Sequence, residues 1–330
     1  MKAIKFFAIS AMAAAMITSC SSEDELSQSN YPSDNIIRVT AGVNNAKTRA
    51  EGAGTEMKNN FSLTIVNKNA PKYTYTDKVF SKTSGDWACS ETLLWQKSDA
   101  LVDIVAFAPA QTGKFNGVYA NGSIQPIAYS VASDQSSDQS TSSDNNDLLY
   151  YYAKNFNPGK SLDKGKLNIQ FNHAFCMIDI NVTLGTEFNK PSIPTTSPIV
   201  KVTLGGTKIA ANVNVTNAAS VVTASGEAAA TDITTTKGSF DKAADPEANA
   251  KSCFSCIAIP QTVAANTFKV SLMTAGKRYE WTSDKEITLQ SGYRYTLELS
   301  MGNDVVLLKG GSISATPWTE ITSDKPLETD

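Results

Sequence analysis

The sequence runs to 330 residues, with 41% hydrophobic side chains and a formal net charge of −3. That apolar share is enough for packed cores and argues against wholesale disorder, while the near-neutral charge offers no basic field for nucleic acid. The length suits two domains of ordinary size once a leader is set aside.

The chain opens with Lys2 and Lys5 ahead of an apolar stretch, Phe6 to Ile17. This is the length and charge order of a secretion signal, too short to span a bilayer as a stable helix. Thr18 and Ser19 lead straight into Cys20, a junction that resembles the lipobox of bacterial lipoproteins. The resemblance implies that residues 1–19 are cut away and that the Cys20 sulfur, the nucleophile of the pair, carries the lipid. Two or more acyl chains such as palmitate then anchor the chain stably, at roughly 0.8 kcal/mol per buried CH2. An ordinary signal with an incidental cysteine is the plainer alternative. Residues 20–34 carry the acidic run Ser21 to Glu25 and read as a solvated linker. They also resemble the export signal of Bacteroidetes surface lipoproteins.

From residue 35 onward, period-two alternation dominates. In "IIRVTAGV", Ile37, Val39, Ala41 and Val43 share one side, with Arg38 and Thr40 on the other. A flexible stretch follows, "TRAEGAGTE", with Arg49 and Ala50 beside Gly52 and Gly54. Phe61, Leu63 and Ile65 alternate in the next strand, and "LVDIVAFAP" is apolar on nearly both sides, the mark of a central strand. Residues 130–147, rich in Ser, Asp and Gln, read as a solvated surface loop, because their acids lack the glycine and spacing of a calcium loop. "DLLYYYAKNF" is the best helical candidate in the chain.

In "KLNIQFNHAFCMIDINVTL" the apolar positions are odd at Leu167, Ile169, Phe171 and Phe175, then even at Ile178, Ile180, Val182 and Leu184. The switch predicts a bulge or bend around His173 to Cys176. The single histidine, His173, is explained by that register shift and has no identifiable nucleophile beside it. Three prolines in 183–198 mark a boundary between an N-terminal unit, 35–185, and a C-terminal unit, 186–330. Residues 216–239 form an Ala/Thr-rich connection, a long hairpin or a loop. Further strands hold Phe268, Val270 and Leu272, then Tyr293, Tyr295, Leu297 and Leu299. Together these patterns predict an all-β, mostly antiparallel protein, built as sandwiches.

Cysteine chemistry offers little beyond Cys20. Cys89, Cys176, Cys253 and Cys256 are too few for a disulfide scaffold in a chain this long. The C-x-x-C of Cys253 and Cys256 lies in a predicted strand, where residues three apart face opposite ways. Structural thiols are the leading reading, with a disulfide and a metal site as alternatives. No nucleophile elbow, phosphate-cradling loop, zinc-protease helix or dinucleotide fingerprint occurs, so no catalytic, cofactor or metal residue is assigned.

Taken in order, the lipobox, "NNAKTRAEG", "LLWQKSDALVDIVAFAPA", "NDLLYYYA", "LNIQFNHAFCMIDINV", "AIPQTV", "ITLQSGYRYTLELS" and "ISATPWTEI" resemble the fimbrillin family, the Mfa-like and FimA-like subunits of Bacteroidetes type V pili. The resemblance implies two transthyretin-like antiparallel β-sandwich domains in tandem, carried to the outer membrane as a lipoprotein and displayed at the cell surface in a fimbria. It implies cleavage between Arg49 and Ala50 by an arginine-specific protease, with loss of the leading strand that carries Ile37, Val39 and Val43. The groove left behind takes a strand from a neighbouring pilin subunit, in a homo- or hetero-polymer serving adhesion. The apolar candidate for donation is Val305, Val306, Leu307 and Leu308 with Ile313. Either it reaches a neighbour or it completes its own domain, which would suit a tip or accessory subunit better than a repeating stalk subunit.

Elementary energetics favour such exchange. Three buried aliphatic side chains at roughly 1.5–3 kcal/mol each amount to about 5–9 kcal/mol. The whole net stability of a domain is about 5–15 kcal/mol, so an emptied groove is strongly driven to refill. The competing reading is a lipid-anchored, glycan-binding surface β-sandwich. It would expose a flat platform drawn from Trp87, Trp95, Trp281 and Trp318, whereas a pilin would bury them.

Overall fold

The computed structural model describes residues 30–44, 55–56, 59–83, 85–110, 118–137, 147–226, 228–308 and 313–318. Among these residues the chain is almost entirely β, as its alternation predicts. An eight-stranded sheet runs in the order Thr55–Glu56, Arg38–Val43, Lys166–His173, Leu149–Phe156, Val102–Ala108, Phe61–Val66, Tyr75–Thr83, Asp86–Cys89. Its inner face packs Leu63, Ile65, Ile104, Leu167 and Ile169, with Phe61 against Phe80 and Phe171 at 5.3 and 5.5 Å. Burial of this face is the main stabilising term.

Val102–Ala108 is buried at all of its positions. Ile104 and Ala106 face the first core, while Val105 and Phe107 face a second one. A strand with both faces covered has no solvated side to show, which explains why the run is apolar at every position but Asp103, whose carboxylate meets Lys68 at 2.8 Å. The neighbouring "LYYYAKNF" corrects the helical expectation. It is the strand Leu149–Phe156, with Leu149, Tyr151 and Ala153 toward the first core and Tyr150 and Tyr152 toward the second. Aromatic side chains favour a pleated, half-buried surface, and sheet partners on both sides override any helical tendency.

The predicted parity switch is where the chain passes between sheets. Phe171 ends the inner face of the first, and after Ala174 the strand Cys176–Leu184 enters the second. There it pairs antiparallel with Ala250–Ala258 and parallel with Tyr293–Met301. Facing this sheet are the strands Ile233–Thr234, Ile199–Gly205, Lys269–Thr274 and Arg278–Thr282. Ile127–Ser130 crosses to pair with Ala210–Val213, so Ile127, Tyr129 and Val131 belong to the second core although they precede the proline-rich segment. The four described cysteines are free thiols, and Cys253 and Cys256 lie on opposite faces of their strand.

The Ser/Asp/Gln loop departs from a purely solvated reading over its described part. Gln135 is fully buried, and its carboxamide donates to the Ile257 carbonyl at 2.9 Å and accepts from the Ile257 amide at 2.8 Å. The side chain thus satisfies a strand's backbone as another strand would.

Asp77 offers a stability test. Its backbone is left-handed (φ 50) at an irregularity opposite Thr64, its Oδ1 is buried without a partner among the described residues, and burial pushes its pKa up. The folded chain therefore holds the Asp77 proton more tightly than the unfolded chain does, so this residue's contribution to stability grows as pH falls through the folded pKa. Asp77→Asn removes the charge and keeps a residue tolerant of φ > 0. The melting temperature at pH 7 should rise by about 2 °C. Calorimetry at pH 7 and pH 4 should find that gain reduced at the lower pH.

Candidate functional site

The candidate site is the leading strand, together with what holds it. Asp34 accepts the Arg38 guanidinium at 3.0 and 2.6 Å and the Ile36 amide at 3.0 Å, fixing the angle at which the strand begins. The Arg38 hydrogen bonds hold the Asp34 carboxyl at about 2, below the ordinary carboxylate range. Arg38–Val43 then pairs in parallel with Lys166–His173, from Arg38 beside Lys166 to Val43 beside Phe171. Its other flank is engaged at both ends. Ile37 N donates to Leu93 O at 2.9 Å, Trp95 N donates to Asn35 O at 2.8 Å, and Gly42 and Val43 pair with Thr55–Glu56. Asn44 closes the run, its amide on Phe171 O at 2.7 Å and its side chain on Asn172 at 2.8 Å.

Ile37, Val39 and Val43 are 6%, 4% and 4% exposed and sit among Phe61, Leu63, Trp95 and Ile169. Ala41, expected on the same side, is half-buried. The strand is thus a structural member of the first core, hydrogen-bonded along one edge and clamped at both ends of the other. Cys20, Arg49 and Ala50 lie outside the described residues.

Four arginines occur in the chain, at 38, 49, 278 and 294. Arg38 is in the parallel ladder just described. Arg294 lies in Tyr293–Met301, gripping Asp179 through Nε and, at 3.3 Å, through Nη2. Arg278 begins the strand Arg278–Thr282 and donates to Ser271 at 2.9 Å and to Glu280 at 3.2 Å.

The C-terminal segment lies along the Tyr293–Met301 strand in two pieces. Val306–Leu308 pairs antiparallel with Leu299–Met301, and Ser314–Pro317 pairs antiparallel with Tyr293–Thr296. Val306 is buried and Ile313 packs on the second core, whereas Val305 and Leu307 are 49% and 59% exposed. Leu308 pairs through its backbone with Leu299. Trp318 seals the end. Its amide donates to Gly292 O at 2.7 Å, and its ring stacks on His173 at 3.9 Å and 12°. His173 Nδ1 lies 2.7 Å from Asp147 Oδ2.

No sequence pattern pointed to the Trp318–His173 pairing, because its members come from segments far apart in the sequence. The remaining tryptophans are also covered. Trp95 is buried and stacked on Phe156, while the half-buried Trp87 and Trp281 meet the rings of Phe61 and Phe268. Among the described residues no group of His, Cys, Asp and Glu is arranged to hold a metal ion, and no helix is long and apolar enough to cross a membrane.

The two-cored β fold is similar to that of solved proteins from Bacteroides. A protein from Bacteroides ovatus assigned to cell adhesion aligns at 16% identity over 87% of this chain and 98% of its own, with a TM-score of 0.61. A fimbrial protein from Bacteroides vulgatus aligns at 15% identity over 86% and 99%, with a TM-score of 0.54. At such identities the likeness is one of fold. The fimbrillin-like family model matches residues 48–318, and the chain belongs to that family. No curated protein matches the sequence.

Proposed function

We propose that the chain is a non-enzymatic fimbrial subunit, made as a precursor lipidated at Cys20 and held at the outer membrane. In this reading its two sandwiches are tandem transthyretin-like units divided near residue 185, the second borrowing Ile127–Ser130 from the first half of the chain. Cleavage after Arg49 frees the leading strand, and a strand from another subunit fills the groove.

The observation that carries this reading is the burial of Ile37, Val39 and Val43 in a strand bonded on both flanks. Its loss would open three side-chain pockets and the backbone edge of Lys166–His173, a template for strand addition. The arginines add support. Proteases act on extended, unpaired chain, and Arg38, Arg278 and Arg294 are each committed to a ladder and an ion pair. Arg49 is the one arginine left in a glycine-rich stretch. With its C-terminal segment paired at home and capped by Trp318, the chain fits a tip or accessory position better than a repeating one. Covered tryptophans count against the platform expected of a monomeric glycan-binding module.

The test uses lipid-free chain beginning at Ser21 and an arginine-specific protease. The expected result is a single cut, absent in Arg49→Ala, after which the chain takes up a labelled peptide of residues 35–44. Peptide uptake without a heat-labile ladder marks an acceptor-only tip or accessory subunit. A ladder marks a repeating subunit that donates the Val305 to Ile313 segment. A cleaved chain that neither polymerises nor binds the peptide overturns the reading.

A further inference from the structure

A second feature lies away from the leading strand. A cleft of about 470 Å³ opens between the loop Ala218–Val222, the segments 260–262 and 288–291, and Tyr150 of the first sheet. This is the size of a small-molecule site rather than a protein interface. None of its lining residues carries a charge. An anion would find no counter-ion there, and a metal ion no carboxylate.

The lining divides into two kinds of surface. Val222, Pro260 and Leu289 are buried beneath the floor, so the half-buried Tyr150 ring is the apolar surface that the cleft offers. Thr262, Thr288, Gln290 and Ser291 bring hydroxyls and a carboxamide to the rim. Tyr150 is half-buried, and its phenol is a neutral donor at pH 7 as any tyrosine is, with burial pushing its pKa further up. Much of the backbone along both walls is already paired. Gln261 and Leu289 exchange hydrogen bonds at 3.1 and 2.9 Å, the Gln290 amide donates to Tyr295 Oη at 2.8 Å, and Val221 O accepts from Asn214 N at 2.7 Å. An extended peptide would therefore find no ladder to join. The ligand that fits brings its own hydroxyls, has one apolar face and carries no charge.

We propose that this cleft binds a neutral mono- or disaccharide, its apolar face on the Tyr150 ring and its hydroxyls on the Tyr150 phenol, Gln290 and Ser291. The site gives the adhesion reading a receptor chemistry and depends on that reading for its biological role. Binding itself is measured on the uncleaved monomer, so failure of assembly and failure of the cleft are read separately.

The experiment is saturation-transfer NMR and calorimetry on the chain from Ser21. The probes are glucose, galactose, mannose, N-acetylglucosamine, lactose, maltose and chitobiose, with glucuronate as the charged control. At least one neutral sugar should bind with a dissociation constant of about 1 mM or tighter, and glucuronate should bind more weakly than glucose. Tyr150→Phe and Gln290→Ala should each weaken binding about ten-fold without moving the melting temperature, since each removes one hydrogen-bonding group from the site. Ala219→Trp, which fills the exposed mouth, should abolish it. No transfer from any neutral sugar at about 10 mM, a concentration that would detect even a weak site, overturns the proposal. So does glucuronate bound as tightly as glucose, or binding that survives all three variants.

Discussion

Gly206→Ala should cost the fold at least about 3 kcal/mol, and so lower the melting temperature by roughly 6–12 °C. Gly206 has φ +86, a backbone state in which an L side chain is strained. An alanine Cβ there would lie 2.1 Å from the Thr267 carbonyl oxygen, 2.7 Å from its carbon and 3.2 Å from the Phe268 amide nitrogen. These are backbone atoms, so relief requires moving the chain that carries Phe268, which is fully buried in the second core. Close-packed interiors resist such shifts. Gly276→Ala supplies the control, because its Cβ would meet nothing within 4 Å. Thermal unfolding of the two variants side by side should show one large loss and one near-neutral change. Equal melting temperatures would mean that the turn after Ile199–Gly205 yields easily.

The double variant Ile37→Ala/Val39→Ala should destabilise the docking of the leading strand by about 4–6 kcal/mol. That sum takes a mid-range cost for the buried isoleucine and a smaller one for the valine. Both side chains insert among the same residues of the first core, so their losses need not add linearly. The effect should be local before it is global. Amide exchange in Arg38–Val43 and on the facing edge of Lys166–His173 should accelerate by two or more orders of magnitude, while Cys176–Leu184, buried in the other core, keeps its protection. Thr40→Ala, on the exposed side of the same strand, should leave exchange nearly unchanged. If the double variant exchanged like the parent along Lys166–His173, the strand would be held by its backbone clamps rather than by its side chains.

How far the sequence foretold these elements depended on how many faces each strand buries. Tyr293–Met301 and the Ile37–Val43 run cover one face, so alternation identified them along with most of their inward residues. Leu149–Phe156 buries Leu149 on one side and half-buries its tyrosines on both, which erases the period-two signal and let the segment pass for a helix. Parallel pairing of Arg38–Val43 with Lys166–His173 was illegible, because alternation records which face is buried and not the direction of the neighbour. Gln135 was hidden for another reason. Its neighbours Ser133, Asp134 and Ser136 spell a solvated loop, and only the three-dimensional position of the Ile257 backbone calls for a carboxamide there.

The strand Lys166–His173 has one further consequence. Its edge receives the start of the described chain, and its last residue lies under the Trp318 ring near the other terminus. The first and last described segments, far apart along the sequence, are thereby sutured to a single rib. Both segments therefore share one neighbour, through its backbone at one end and through the His173 ring at the other.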